Sequence, residues 1–357
     1  MEKEIVTVDK IKENPYDYTF EELVDCMPEE VAKRFFYSLY KGNRKSNATM
    51  KIKDIYNGAD TRKYAFELKD GYCIETVCIK RKTGFTVCVS TMVGCPVGCI
   101  FCASGSNGFI RNLTAAEIVQ QVVLVNEKIN RIVFMGMGEP LLNYDALIKA
   151  IHILRDRRGL NFPTDGITIS TVGPLVQLKK LREEHIKIQL TLSLHATNQK
   201  TRDKLLPHMK GNSIHKIVEA VLSYSERHNR KITIAYLLIP GLNDSSADVR
   251  KLGRWFREKN VMINLLQYNE TENSHLKRPT KQQLVAFKGR LEMAGLDVKL
   301  RESRGNNIKA ACGQLTSKYN RQQKMKKTFK AMRGSRSSTG VKDSKSNRAR
   351  NSKRTEH

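Results

Sequence analysis

An α/β fold, a partial (β/α)6 barrel with a small N-terminal accessory domain and a disordered basic C-terminal tail, is predicted by three observations. From about Tyr72 onward, apolar β-branched runs alternate with helical stretches, the pattern of a parallel sheet. About six βα units follow one another, which favours a barrel over an open doubly wound sheet. Composition shifts at both ends, so residues 1–70 read as a small accessory unit, 71–316 as the core and 317–357 as the tail.

Residues 1–70 are mixed in character and show no clear strand pattern. Phe20–Cys26 and Glu29–Tyr40 read as helices, the second with Val31, Phe35, Leu39 and Tyr40 on one face. Asn43–Met50 is a polar break. Strands are expected at Thr86–Ser90, Arg131–Met135, Ile167–Thr171, Ile186–Leu194, Ile232–Ile239, Val261–Tyr268 and Val298–Arg301. Between them lie helical stretches at Thr114–Asn126, Tyr144–Arg155, Leu175–Glu184, Ser213–Arg227, Ser245–Glu258 and Thr280–Ala294. Thr114 and Glu117 have the spacing of a capping box, which marks the start of the first of these.

Barrels and open α/β sheets both build their sites at the carboxyl ends of the strands. Those ends read Met137-Gly138-Glu139-Pro140, Ser170-Thr171-Val172-Gly173, Ser193-Leu194-His195, Pro240-Gly241-Leu242-Asn243 and Gln267-Tyr268-Asn269. Taken singly, Gly, Ser and Asn there are ordinary turn chemistry. Five such ends on one rim suit a polar ligand.

The chain of 357 residues is 40% apolar, enough for a large core, and carries a net charge of +27. Such a charge calls for an anionic partner. Residues 317–357 hold 14 Lys and Arg against two acids, so the tail contributes +12 and the rest +15. The plain reading of the tail is a solubilising appendage, poor in apolar residues and disordered. Yet Lys318–Arg336 interleaves Tyr319 and Phe329 with eight basic residues, as an RNA-contacting segment does. Because the remainder is basic too, nucleic acid is a better partner than a membrane surface. No apolar signal segment follows the first charges, and no run of about 18 apolar residues exists. A cytoplasmic protein is expected.

Eight cysteines in such a chain argue for metal or redox chemistry rather than a disulfide scaffold. Three sit together as Cys95-Pro-Val-Gly-Cys99-Ile-Phe-Cys102. This C-x3-C-x2-C loop offers three thiolates, one fewer than a closed site needs. Iron–sulfur clusters are held by cysteine thiolates, and three ligands leave one iron of a [4Fe–4S] cube open. That is the signature of enzymes that cleave S-adenosylmethionine (SAM) to a radical. The rival is structural zinc, which wants a fourth Cys or His close by. The flanking candidates, Cys88 and His152, are distant in sequence. Cys26, Cys73 and Cys78 stand in no motif and read as small buried hydrophobes. Cys88 and Cys312 are left over; from sequence alone, Cys312 after Ala310-Ala311 reads more readily as a packed core thiol than as a reactive one.

Six segments resemble the RlmN/Cfr family of radical SAM adenine methyltransferases, over about Asp70 to Leu315. They are Cys88-Val-Ser-Thr-Met-Val-Gly-Cys95, the cluster loop, Arg111-Asn112-Leu113-Thr114, Phe134-Met-Gly-Met-Gly-Glu-Pro-Leu-Leu-Asn143, Ser193-Leu-His195 and Ile308-Lys-Ala-Ala-Cys-Gly-Gln-Leu315. The resemblance implies methylation of an adenine carbon in 23S rRNA at the peptidyl-transferase centre, C2 or C8, with tRNA adenosine as a further substrate of RlmN-type members. It implies that Cys95, Cys99 and Cys102 hold a [4Fe–4S] cluster. SAM would lie against Gly138, Glu139, Ser170, Ser193, Leu194, His195 and Asn269. Cys312 would carry the methyl group to the base, Cys88 would release the resulting protein–RNA adduct by forming a disulfide with it, and Glu75 would accept a proton. Flavodoxin or ferredoxin would supply electrons to a monomer.

Taken alone, Glu75 reads as a solvated outward strand residue, His195 as a satisfied core histidine and Trp255 as helix packing. The product assignment follows Gly138-Glu139-Pro140, which is similar to RlmN, whereas Cfr usually has Ala after the Glu. Departures lie at Glu270, where the family usually has Pro, in residues 1–70 and in the long tail. Two further readings are a radical SAM enzyme acting on a non-RNA substrate and a non-catalytic RNA-binding iron–sulfur protein. Neither uses all of the Cys88/Cys312 pair, the rim residues and the charge.

Overall fold

A computed structural model describes residues 7–42, 47–125, 127–270, 275–301, 304–315 and 318–320. The chain divides into two compact units, Met1–Ser317 and Lys318–His357. The basic tail expected from the sequence therefore lies almost wholly outside the described residues, as does most of the Lys318–Arg336 segment.

Three helices open the first unit: α1 (Val8–Glu13), α2 (Phe20–Val24) and α3 (Glu29–Lys41). Thr19 and Glu22 form a reciprocal capping box at α2. Phe20, Phe36 and Tyr40 are buried, with Phe20 and Phe36 edge to face at 5.9 Å.

The sheet begins earlier than the sequence suggested. Strands β1 (Lys51–Asn57), β2 (Thr61–Glu67), β3 (Cys73–Arg81) and β4 (Gly84–Cys88) form an antiparallel meander. The expectation of no strand before residue 70 is corrected here. β1 is an edge strand, mostly exposed and broken by a bulge between Ile52 and Asp54, so its pattern is charged rather than apolar. A small hairpin of β5 (Met92–Gly94) and β6 (Phe109–Asn112) follows, enclosing α4 (Ala103–Ser106).

From there the βα alternation runs as expected: α5 (Ala115–Leu124), β7 (Ile129–Phe134), α6 (Tyr144–Arg155), β8 (Ile167–Thr171), α7 (Leu175–Glu183), β9 (Gln189–Ser193), α8 (Gln199–Leu205), α9 (Ile214–His228), β10 (Ile232–Leu238), α10 (Ser246–Phe256), β11 (Val261–Gln267), α11 (Lys281–Met293) and β12 (Val298–Arg301). The capping box at Thr114 and Glu117 is present. α8 was not foreseen; it is short, polar and capped by Asn198.

Among the described residues, ten strands form one sheet in the order β1-β2-β3-β4-β7-β8-β9-β10-β11-β12. From β4 onward every pairing is parallel. No switch point interrupts that order, as it would in a doubly wound sheet. The sheet curls. β3 and β12 have six strands between them, yet Val77 and Leu300 line one cavity. Arg304, just past β12, reaches back to Asp60 at 3.0 Å and to the Lys80 carbonyl at 3.3 Å. The result is an open barrel whose lateral gap lies between β3 and β12. No helix among the described residues is long and apolar enough to cross a membrane.

Candidate active site

The three clustered cysteines leave the end of β5 on a loop that closes into α4, with Cys102 as its N-terminal residue. Gly98 takes φ +66°, and a side chain there would strike the His208 ring at 2.8 Å. The loop is braced from outside by the segment after α8. The Ile100 N–H donates to the Leu205 carbonyl at 3.1 Å, and His208 Nδ1 meets the Pro96 carbonyl at 2.8 Å.

Burial pushes the Cys95 thiol up to about 12 and the Cys99 thiol well above its ordinary value, and raises that of Cys102. Mutual repulsion among the three sulfurs adds to this for Cys99. Thiols this dry become thiolates only when a cation arrives, which is how metal binding is coupled to proton release. Among the described residues, no three His, Cys, Asp or Glu side chains are placed to share one ion, as a structural zinc would need. In a cube each cysteine binds a different iron, so three thiolates on one loop supply three of its four ligands.

The cavity in front of these cysteines measures about 160 Å³. Gly138, Glu139, Ser170, Ser193, His195 and Asn269 all line it, so the strand ends singled out from sequence do converge. Gly138 has φ +108°, and a Cβ would meet Met92 and Thr91 at 2.8 Å. Glu139 Oε1 accepts from Thr171 Oγ1 at 2.6 Å and from the Leu141 N–H at 3.1 Å, and Oε2 accepts from the Val172 N–H at 2.8 Å. Burial nevertheless raises its pKa to about 7. The Ser170 and Ser193 hydroxyls lie 3.3 Å apart. His195 Nδ1 accepts from the Leu237 N–H at 3.1 Å, which leaves the proton on Nε2. Burial, reinforced by Arg202, lowers its pKa to about 3, so the ring is neutral at working pH.

Two rim residues serve differently. Leu194 is fully buried and its side chain packs in the core rather than against the cavity. Asn243 spends its amide on the His195 and Leu237 carbonyls, at 2.8 and 2.6 Å, and so fixes the loop that carries His195.

Cys312 lies at the junction of two cavities. It lines the cavity of the three cysteines and also a second one of about 290 Å³ that contains Cys88. Its segment is docked on the cluster loop: the Ala103 N–H donates to the Gly313 carbonyl at 2.7 Å, and Ser104 Oγ to the Leu315 carbonyl at 2.6 Å. Cys312 is exposed and Cys88 buried, and both thiols are free. Burial, then the neighbouring Cys312, pushes the Cys88 thiol up to about 12.

Glu75 is buried on β3 and ion-paired to Lys63 Nζ at 3.1 Å. This corrects the solvated-face reading of that residue. The β2–β3 register sets Lys63 opposite Val77, so Lys63, Glu75 and Val77 share the inward face. Glu75 does not itself line either cavity.

Sequence reading also missed Arg202, which is 2% exposed. Its guanidinium donates to the Leu194 carbonyl at 2.7 Å, the Ser193 carbonyl at 3.3 Å and the Val172 carbonyl, clamping two strand ends. Burial lowers its pKa to about 10, with Cys99 and Glu139 opposing. The one signal for it was an Arg three residues before Leu205-Leu206 on a short helix.

Residues 89–252 match the family model of the radical SAM superfamily. A probable RNA methyltransferase of Rhodopseudomonas palustris is 50% identical over 258 residues, 72% of each chain. A probable dual-specificity RNA methyltransferase RlmN of Dictyoglomus turgidum is 41% identical over 276 residues, 75% of this chain and 79% of that one. The crystal structure of a radical SAM methyltransferase from Sphaerobacter thermophilus superposes with a TM-score of 0.79 at 34% identity, covering 84% of this chain and 98% of that one.

Proposed function

The chain belongs to the RlmN/Cfr family of radical SAM RNA methyltransferases, and from that premise we propose that it methylates C2 of an adenosine in 23S rRNA at the peptidyl-transferase centre, with a tRNA adenosine as second substrate. The observation that carries this reading is the position of Cys312 between two cavities. A methyl carrier has to meet the cofactor and the base in turn, and one sulfur on a shared wall does both.

Cys95, Cys99 and Cys102 would hold the [4Fe–4S] cluster, and Gly138, Glu139, Ser170, Ser193, His195 and Asn269 would surround SAM. When bound, these groups supply the electron, the methyl group and the radical that an unreactive sp2 carbon requires. The adenine edge is out of reach inside a duplex, so the target base must be flipped into the pocket.

The Cys312 sulfur would take a methyl group from one SAM. After that group gives up one hydrogen atom to the radical supplied by a second SAM, its methylene carbon would bond the ring carbon, with the surplus electron leaving to the bound cluster. On the family resemblance, the proton that leaves the ring carbon goes to Glu75, which shares the inward face of β3 with cavity-lining Val77 and is held by Lys63. The Cys88 thiolate then attacks the Cys312 sulfur. An S–S bond forms, the S–C bond breaks, and the electron pair stays on the methylene carbon, which takes a proton. An external reductant returns the disulfide to two thiols. The chain acts as a cytoplasmic monomer fed by flavodoxin or ferredoxin. Residues 1–70 and the basic 317–357 segment add phosphate contacts to those of the 71–316 core.

The test is anaerobic incubation of reconstituted protein with 23S rRNA fragments, tRNA and methyl-labelled SAM, followed by mass spectrometry of the nucleosides. Labelled 2-methyladenosine supports the reading, and the labelled RNA names the substrate. Labelled 8-methyladenosine transfers the protein to the Cfr-type branch. SAM cleavage with no labelled adenosine means a non-RNA substrate.

A further inference from the structure

The cavity that ends on Cys88 and Cys312 has a second feature that methyl transfer does not use. Arg81, Arg301 and Arg304 line it. The β3–β4 register pairs Val77 with Cys88, Ile79 with Thr86 and Arg81 with Gly84. The next pairing sets Cys88 opposite Val133 and Thr86 opposite Arg131. Directly opposed residues share a face of the sheet. Arg131 therefore lies on the cavity's face, one row below Val133, which is itself a lining residue.

Four guanidinium groups thus gather around the lateral gap, Arg81 and Arg131 from the β3 side and Arg301 and Arg304 from the β12 side. Among the described residues, the carboxylate beside them is Asp60, paired with Arg304 at 3.0 Å. Partial desolvation of Arg81 and repulsion from Arg304, Arg301 and Arg131 hold its guanidinium below the usual range, with Asp60 opposing. Cations crowded in this way gain from an incoming anion.

Their position also fits the reaction. From the Arg81–Gly84 pair to the Val77–Cys88 pair is four residues along β4, about 13 Å at ~3.3 Å per residue. Arg81 and Arg131 are exposed and Cys88 is buried, so the arginines mark the outer end of the cavity and the thiols its floor. The hairpin between β3 and β4 adds exposed Lys80 and Lys82 beside that end.

We propose that Arg81 and Arg131, together with Arg301 and Arg304, form a phosphate clamp for the RNA backbone next to the flipped nucleotide, so that the strand enters by the gap between β3 and β12. Guanidinium groups suit this task because each presents a planar fork of donors to phosphate oxygens. The proposal rests on the RNA-substrate reading above and names the side from which that substrate arrives.

The test is equilibrium binding of a single-stranded RNA containing the target adenosine, measured across salt concentrations. Wild type is compared with Arg81→Gln, Arg131→Gln, the double variant and Arg81→Lys, and melting temperatures verify that each is folded. Each lost phosphate contact flattens the slope of log K against log salt by about 0.7. The single Gln variants are expected to lose about one such step, the double variant about two, and Arg81→Lys to keep the wild-type slope. Gln variants with the wild-type slope overturn the clamp and leave the RNA reading intact. A wild-type protein with no salt-dependent RNA binding overturns the RNA reading and the clamp together.

Discussion

Asn269 Nδ2 donates to the carbonyl oxygen of Cys312 at 3.1 Å, while its own Oδ1 is buried without a partner among the described residues. One amide thus steadies the Cys312 backbone and leaves an unsatisfied acceptor on a residue that lines both cavities. A buried acceptor left unpaired costs about 1–3 kcal/mol, and a donor on the bound cofactor would offset it. Asn269→Ala should weaken SAM binding about tenfold, measured by calorimetry on the reconstituted protein. Unchanged affinity would remove Asn269 from the cofactor site.

The shared cavity of Cys88 and Cys312 separates two failures of turnover. In Cys88→Ala the carrier still reaches the base but nothing releases it, so protein should accumulate covalently on RNA in a denaturing gel. In Cys312→Ala no adduct can form, and RNA methylation should fall by at least ~10³-fold while SAM is still cleaved slowly. Free protein alone in the first variant, or activity in the second, contradicts the assigned roles.

His195 and Glu139 drive stability against pH in opposite directions in the cluster-free protein. His195 falls from 6.5 to about 3 on folding, so the unfolded chain binds the extra proton between those values and stability rises with pH there. Glu139 rises from 4.5 to about 7, so the folded chain binds the extra proton and stability falls with pH in that window. Each slope is about 1.4 kcal/mol per pH unit, and the two cancel between roughly pH 4.5 and 6.5. Urea titrations should therefore show stability rising with pH in Glu139→Gln and falling in His195→Asn. Asn suits that substitution because His195 has φ +57°, a conformation Asn tolerates. Parallel profiles for the two variants would refute the assignment.

Lys63 and Glu75 form a buried pair, and removing one member of such a pair costs about 3–5 kcal/mol. Lys63→Met should lower the urea midpoint accordingly, and adding Glu75→Gln should recover part of the loss. A double variant no better than the single would mean that Lys63 acts by packing alone.

The parallel strands were legible because strands covered on both faces read as continuous apolar runs, such as Ile232–Leu238. β1 was not, because an edge strand with Lys51, Lys53 and Asp54 on it shows no apolar pattern. At the site, cysteine spacing and rim residue types singled out side chains that the fold brings to one cavity. Arg202 and Lys63 escaped notice because a charged side chain is expected in solvent, and only the fold supplies the carbonyls and the carboxylate that hold them inside. Leu194 stands between Ser193 and His195 in sequence, but strand alternation turns its side chain into the core.

The in-order joining of β4 through β12 also sets a timetable. Domains fold from the N-terminus as they are synthesised, and each new strand here finds its neighbour already in place. The loop bearing Cys95, Cys99 and Cys102 is available early, whereas Cys312 arrives after the last strand and docks through Gly313 and Leu315 onto Ala103 and Ser104. A chain interrupted before that point carries the three clustered cysteines but lacks Cys312, so on the proposed mechanism only a chain synthesised past the last strand methylates RNA.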